Sequence, residues 1–307
     1  MKGFKRTRKD GNAEKRSTAL IAGATVGATV FVFGALGLGL LLGAPRLQER
    51  LSANVQRPRV VFTWPALSTP GADKKQPANA PTWVPPSVQD ELLAAAQREI
   101  DKAPDPFSAD GLRRIAESAA GSGWFEQITA VRREPDGIIR VAGQWRTPAA
   151  VIRKDNDYVV ARKGEVLPLA YERGAAPLKA IIGVRQDASK AAGRVIPGLS
   201  WPGADVQAGL DLLSMLAGRP WAAQVAAVDV SGYTSGRQLV IVTTSGGRIV
   251  WGGAPTDAIP GQVSAEIKLK RLDVLQHQFG AIDARHRIVE VAGPRTLVDD
   301  SVTANAS

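Results

Sequence analysis

The chain has 307 residues, 44% of them apolar, and a formal net charge of +10. Lys2, Lys5, Arg6, Arg8, Lys9, Lys15 and Arg16 face only Asp10 and Glu14 in the first 16 positions, so half of the excess lies in the head, and the other 32 basic and 27 acidic residues are nearly balanced. That distribution argues against a nucleic-acid module, and the absence of cysteine excludes disulfides, thiolate catalysis and Cys-ligated metals.

No residue from Ser17 to Pro45 is charged. Roughly 26 helical residues from Ala19 to Ala44 reach about 39 Å, more than the roughly 30 Å of a bilayer's hydrocarbon core. The expectation is a cytoplasmic basic head at 1–17, a transmembrane helix at 18–44 and a juxtamembrane segment at 45–58, with the remaining chain outside the membrane by the positive-inside rule. A cleaved secretory signal is the rival, but its apolar region is about 7 to 15 residues, and Pro45 spoils the small-x-small cleavage site. Ala19, Gly23 and Gly27 fall four apart, a spacing that lets helix backbones approach closely. Gly23 and Gly27 are therefore candidates for helix pairing, although membrane helices often carry glycine without it.

Beyond the span, Arg59 to Trp64 is β-rich and is closed by Pro65. A Pro-rich insert at 65–86 follows, too poor in large apolar residues to build a core. Ser87 to Asp90 has the form of a capping box, and a helix is expected to about Asp101 with Leu92, Leu93, Ala96 and Ile100 inward. A second helix begins near Ser108, where Leu112, Ile115, Ala116 and Ala119 fall at i, i+3, i+4 and i+7. Gln127 to Arg133 and Ile138 to Trp145 form a hairpin about the turn Glu134-Pro135-Asp136-Gly137. The order over 59–147 is strand, helix, helix, strand, strand.

A region of short strands follows, at 148–298. Val151 to Arg153, Tyr158 to Arg162 and Glu165 to Leu169 are separated by turn residues. Pro177 to Gly203 reads as a loose Gly/Pro-rich stretch. A helix from Asp205 to Ala217 and β-rich runs at Val225 to Val230, Gln238 to Thr244 and Arg248 to Trp251 come next, the last two joined by Ser245-Gly246-Gly247. A helix from Val263 to Gln278 packs through Ile267, Leu269, Leu272 and Leu275. Ala281 to Ala284 and Arg287 to Val291 close the ordered chain before a polar tail at 299–307. The fold class is α+β.

Several colinear pieces resemble the FtsQ/DivIB family of bacterial cell-division proteins. They are Trp124-Phe125 through Val131-Arg132-Arg133 with Pro135, Arg146-Thr147-Pro148-Ala149-Ala150, Gly164-Glu165-Val166 and Leu178 to Gly183, then Ser245 to Gly252, Lys268 to Leu272 and Ile282-Asp283-Ala284-Arg285. The resemblance implies a single-pass inner-membrane protein at the division site, with a periplasmic POTRA domain (βααββ) carrying the Pro-rich insert and then a mixed β domain with flanking helices. It implies a non-enzymatic scaffold that recruits partners such as FtsB and FtsL. Gln144 and Trp145 stand where the family usually has Glu, and Pro177-Leu178 reverses its Leu-Pro.

The residues themselves point the same way. Gly198-Leu199-Ser200-Trp201-Pro202-Gly203 has a displaced second glycine and a proline where a nucleophile elbow needs a helix start, so it reads as a loop. Asp155-Asn156-Asp157 lacks the 12-residue loop closing on Glu that calcium requires, and reads as a turn. His277 and His286 have no nucleophile and orienting acid beside them in sequence. No catalytic residue, cofactor, metal or small-molecule substrate is expected. A membrane-anchored cell-envelope hydrolase with scattered residues and a secretion-associated POTRA protein are the alternatives. The scaffold would work by β-augmentation, in which a partner strand adds to an open sheet edge. Arg287 to Val291, the last strand read from sequence, is the expected edge, so Arg285, Arg287, Ile288, Val289, Glu290 and Val291 are the candidate protein-binding residues. The opposing view is an edge blunted by Arg287 and Glu290. The orientation is checked with a C-terminal reporter active only in the cytoplasm. It is expected to be silent, and a signal from it would reverse the assignment.

Overall fold

The computed structural model describes residues 58–66, 81–103 and 108–299. The basic head, the expected span with Gly23 and Gly27, nearly all of the juxtamembrane segment, most of the Pro-rich insert and residues 300–307 lie outside them. Among the described residues no helix is long and apolar enough to cross a membrane.

The β-branched and aromatic run after Pro58 forms β1 (Arg59–Phe62). Helices α1 (Pro86–Lys102) and α2 (Ala109–Gly121) follow, then β2 (Phe125–Arg133) and β3 (Ile138–Trp145). β3 lies in the middle, parallel to β1 and antiparallel to β2. The capping box expected at Ser87 does not form: α1 starts on Pro86 at N1 with no side-chain cap. Proline fits there because its fixed φ suits the first turn and its missing N–H would have had no helical acceptor. At α2 the cap is the one the sequence signals, with Ser108 Oγ accepting the Gly111 amide at 3.1 Å. The inward faces are Val88, Leu92, Ala96 and Ile100 on α1 and Ile115 and Ala119 on α2.

The second sheet has nine strands and is mixed. It begins with the meander β4 (Pro148–Arg153), β5 (Asn156–Ala161) and β6 (Val166–Glu172). Next comes β7 (Ala180–Ile182), inside the stretch the sequence presents as loop. The small hairpin β8 (Lys190–Ala191) and β9 (Arg194–Val195) leads to helix α3 (Ala204–Leu216). β10 (Val225–Asp229), the single-turn α4 (Tyr233–Gly236), β11 (Leu239–Thr243) and β12 (Arg248–Gly252) follow. Helix α5 (Ala265–Phe279), β13 (Ile288–Glu290) and β14 (Leu297–Asp299) complete it. The strand order is β14-β13-β12-β11-β10-β7-β4-β5-β6. The protein is thus a mixed α/β fold, and all of these elements belong to one compact unit that begins at Arg59.

Side-chain alternation along the central strands explains why they are apolar throughout. Ile152, Val160, Ile181 and Val228 join one core with α3 and α5, while their neighbours Val151, Val159, Ala180 and Ala227 join the core of α1, α2 and the small sheet. The chain passes between the sheets from Trp145 to Pro148, yet apolar packing runs across that passage. Arg146 reinforces it: Nη1 donates to the carbonyls of Gly123, at 3.0 Å, and Phe125, and Nε lies 3.7 Å from Glu165. Lys163 and Glu126 form an ion pair across the same seam.

On α5 the buried positions are Lys268, Leu269, Leu272 and Leu275, whereas the expected core residue Ile267 is 44% exposed. Steps of three and four back from Leu272 reach Leu269 and Lys268, not Ile267. Lys268 Nζ donates to Gln262 Oε1 at 3.1 Å and lies 5.2 Å from the Trp251 ring centroid, which makes its burial tolerable. Asp157, expected in a turn, instead sits within β5, fully buried and paired with Arg153 at 2.8 Å.

Ile181 is fully buried at the centre of the large sheet. Ile181→Ala is expected to lower the unfolding free energy by about 2–5 kcal/mol, read as a lower urea midpoint at unchanged slope.

Candidate functional site

The last two strands form one end of the large sheet, and the turn in front of them is built around one carboxylate. β11 ends on Thr243, and the turn Ser245-Gly246-Gly247 returns the chain into β12. Asp283, only 1% exposed, points into that turn. Its Oδ2 accepts from Thr243 Oγ1 at 2.7 Å and from Ser245 Oγ at 2.5 Å, and its Oδ1 accepts the Arg285 amide at 3.1 Å. A Cβ at Gly247 would collide with this carboxylate, so the turn needs glycine there.

Ala284, Arg285 and His286 all have left-handed backbones, with φ of 49°, 68° and 69°. The left-handed region costs a residue other than glycine roughly 1–2 kcal/mol, so the run persists only because its surroundings over-determine it. Asp283 supplies much of that constraint: its carbonyl accepts the Arg287 amide at 3.0 Å while its carboxylate holds Arg285. His286 Nδ1 lies 2.8 Å from the Ser245 carbonyl oxygen. Ser245, Asp283 and His286 are neighbours here, but the ring meets the main chain of Ser245 and the hydroxyl donates to the acid. The imidazole is therefore not placed to take the hydroxyl proton, as a catalytic triad requires.

β13 leaves this turn and pairs on both sides. It runs parallel to β12, with Ile249 opposite Val289, and antiparallel to β14, with Val298 opposite Val289. Val289 and Val291 are fully buried. The strand expected to be the open edge is therefore internal, and the edge is β14. Its three residues were hidden by the polar composition that surrounds them, since only Leu297 and Val298 are apolar between Thr296 and the polar tail. Of the candidate binding residues, Ile288, Val289 and Glu290 form the internal strand and Val291 continues it. Arg285 is exposed on the turn, and the Arg287 guanidinium lies 6.0 Å from the Phe279 ring centroid.

Arg271 on α5 fixes how β13 turns into β14. Nη1 donates to the carbonyls of Val291 at 2.8 Å and Gly293 at 2.6 Å, and Nη2 to that of Pro294 at 2.6 Å. In the sequence Arg271 is one of three basic residues within Lys268 to Leu272, with nothing to set it apart. A basic residue that bonds main-chain carbonyls 20 or more positions away leaves no local signal.

At the edge itself Leu297 is 58% exposed, while Val298 packs on the core. The opposite end of the sheet differs. There Pro168 interrupts β6, and the segment at 198–199 covers its start through Val166 N to Leu199 O at 2.9 Å and Gly198 N to Val166 O at 2.7 Å. No protein-family model matches the chain, and no curated protein matches it significantly.

Burial pushes the Asp283 carboxyl up, but the Ser245 and Thr243 hydroxyls and the amides of His286 and Arg285 outweigh it and leave its pKa below the usual aspartate value. A depressed carboxyl contributes stability that is present above its unfolded-state pKa and is lost as pH falls through the folded value. Asp283→Asn is expected to destabilise the fold by about 1–3 kcal/mol at pH 7. In urea titrations the gap to the unaltered protein should narrow as the pH drops below the ordinary aspartate range.

Proposed function

We propose that this protein is a membrane-anchored, non-enzymatic scaffold that recruits partner proteins of the bacterial division machinery by strand addition. The observation that carries the reading is the β14 edge, a strand that among the described residues pairs with a neighbouring strand on one side only, presenting exposed Leu297 at the end of a nine-stranded sheet. Such an edge offers main-chain donors and acceptors to an incoming strand, and alternate side chains set specificity. The other end of the sheet is interrupted by proline and covered, which favours β14.

Two further features support the divisome assignment. The order β1-α1-α2-β2-β3 agrees with the βααββ order of a POTRA domain, and the uncharged stretch from Ser17 to Pro45 behind a basic head is the pattern of a single inner-membrane anchor. In this reading 59–147 is the POTRA domain, 148–298 is the β domain, and both face the periplasm. The partner is a small division protein of the FtsB or FtsL kind. Arg271 and Asp283 are positioning residues: the first aims the turn that carries β14, and the second holds the strained entry into β13.

Successive amides of an edge strand point alternately toward the sheet and away from it. Leu297→Pro and Val298→Pro therefore remove one inward and one outward donor. The variant that loses the outward amide is expected to keep wild-type circular dichroism and to lose at least tenfold in partner affinity by pull-down titration. If both variants fold and bind at wild-type level, the docking edge is elsewhere.

A further inference from the structure

Away from that edge, a cavity of about 580 Å³ opens beside the start of β4, between the segment before β7 and helix α3. Its volume lies within the roughly 300–1,000 Å³ of small-molecule sites. Pro148 and Ala149 at the start of β4, Pro177 and Leu178 before β7, and Leu210 and Leu213 on α3 form its apolar walls. The register of β4 on β5 shifts between Pro148 and Ala150, so Ala149 is an extra residue at this end of the sheet.

The polar lining is basic. Arg162 and Lys179 contribute to it, and no Asp, Glu or aromatic residue does. Lys179 Nζ donates to the carbonyls of Ala222 and, at 2.6 Å, Val225, in the short turn that enters β10, so its ammonium is already spent on main-chain acceptors. Burial holds its pKa below the usual lysine value. Arg162 differs: it is exposed, and among the described residues its guanidinium has no acidic partner. The lining has no aromatic face on which sugar rings or nucleobases stack and no carboxylate to draw a cation, its other polar groups being the hydroxyls of Thr147 and Ser214.

We infer that this cavity binds an aliphatic carboxylate, with the hydrocarbon chain against Pro148, Leu178, Leu210 and Leu213 and the carboxylate at Arg162. The guanidinium suits a carboxylate because its planar fork donates two parallel hydrogen bonds.

The chain has no cysteine, so a single introduced thiol is a unique label. Thr147 is exposed at the rim of the cavity, and Val274, on α5, is 61% exposed and is not among the lining residues. Full-length Thr147→Cys and Val274→Cys proteins in zwitterionic nanodiscs, each carrying a bimane fluorophore, are titrated with decanoate below its micelle concentration. The expected result is a saturable shift at position 147 only, with an apparent Kd raised at least fivefold by Arg162→Gln. Ala217→Trp, which fills the cavity, should abolish the shift while leaving the thermal midpoint within a few degrees. Equal responses at 147 and 274, an Arg162→Gln protein with unchanged Kd, or a response that requires anionic phosphatidylglycerol in the nanodisc would overturn the inference, the last by assigning the signal to membrane lipid. Arg162→Gln removes only an exposed charge, so the test stands even if Ala217→Trp does not fold.

Discussion

The large sheet is joined at its middle by three residues, Ala180, Ile181 and Ile182. On one side they pair in parallel with β4 and on the other in parallel with β10. Parallel neighbours cannot be connected by a tight turn, so the chain must cross over a face of the sheet between β7 and β10. Helix α3 makes that crossing, and it lies close because Gly209 has no side chain: a Cβ there would meet Ile181 and Val230 at 3.1–3.3 Å. The antiparallel strands β4 to β6 and the run from β10 to β14 would each end on an exposed edge without β7. With it they become one surface with apolar cores on both faces.

At the far end of that surface the structure holds strain rather than relaxing it. Three consecutive left-handed residues precede β13, and one buried carboxylate binds two hydroxyls and the main chain around them. Buried carboxylates are tolerable when their lone pairs are satisfied, and here the satisfied acid ties the β11–β12 turn to the entry of β13. Arg271 does for the exit what Asp283 does for the entry, spending its guanidinium on main-chain carbonyls instead of an acid. Both ends of a three-residue strand are thereby held from outside. A short strand with few ladder bonds of its own needs such support to keep a register against its neighbour.

The passage between the two sheets is also built from side-chain to main-chain bonds. Arg146 reads the carbonyls of Gly123 and Phe125, so the small sheet is held to the start of the large one by a residue that belongs to neither. Around it the Phe125 and Trp145 rings meet at a tilt with centroids 4.1 Å apart, with Phe62, Trp64, Trp83 and Trp124 in the same aromatic group. These rings bury large area at low entropic cost. Their concentration on one side of the seam explains how a three-stranded sheet with two helices packs on a larger neighbour.

The amino-acid sequence determined by itself the features whose physics is local. Helical spacing placed Leu92, Ala96 and Ile100 inward on α1 and Leu269, Leu272 and Leu275 inward on α5, a serine marked the start of α2, and turn residues marked the β2–β3 and β11–β12 hairpins. The uncharged stretch behind a basic head is likewise a property of composition alone. Tertiary structure decided what depends on partners distant in the chain. β7 and β14 are three-residue strands too short to show a period, and pairing with neighbours, not propensity, makes them strands. Lys268 is buried and Ile267 exposed because the rotation of α5 on the sheet outweighs the hydropathy of either residue. Asp283 and Arg271 look like ordinary charged residues in the sequence. Their roles arise only where folding brings hydroxyls 38 and 40 positions away, and carbonyls 20 to 23 positions away, within hydrogen-bond reach.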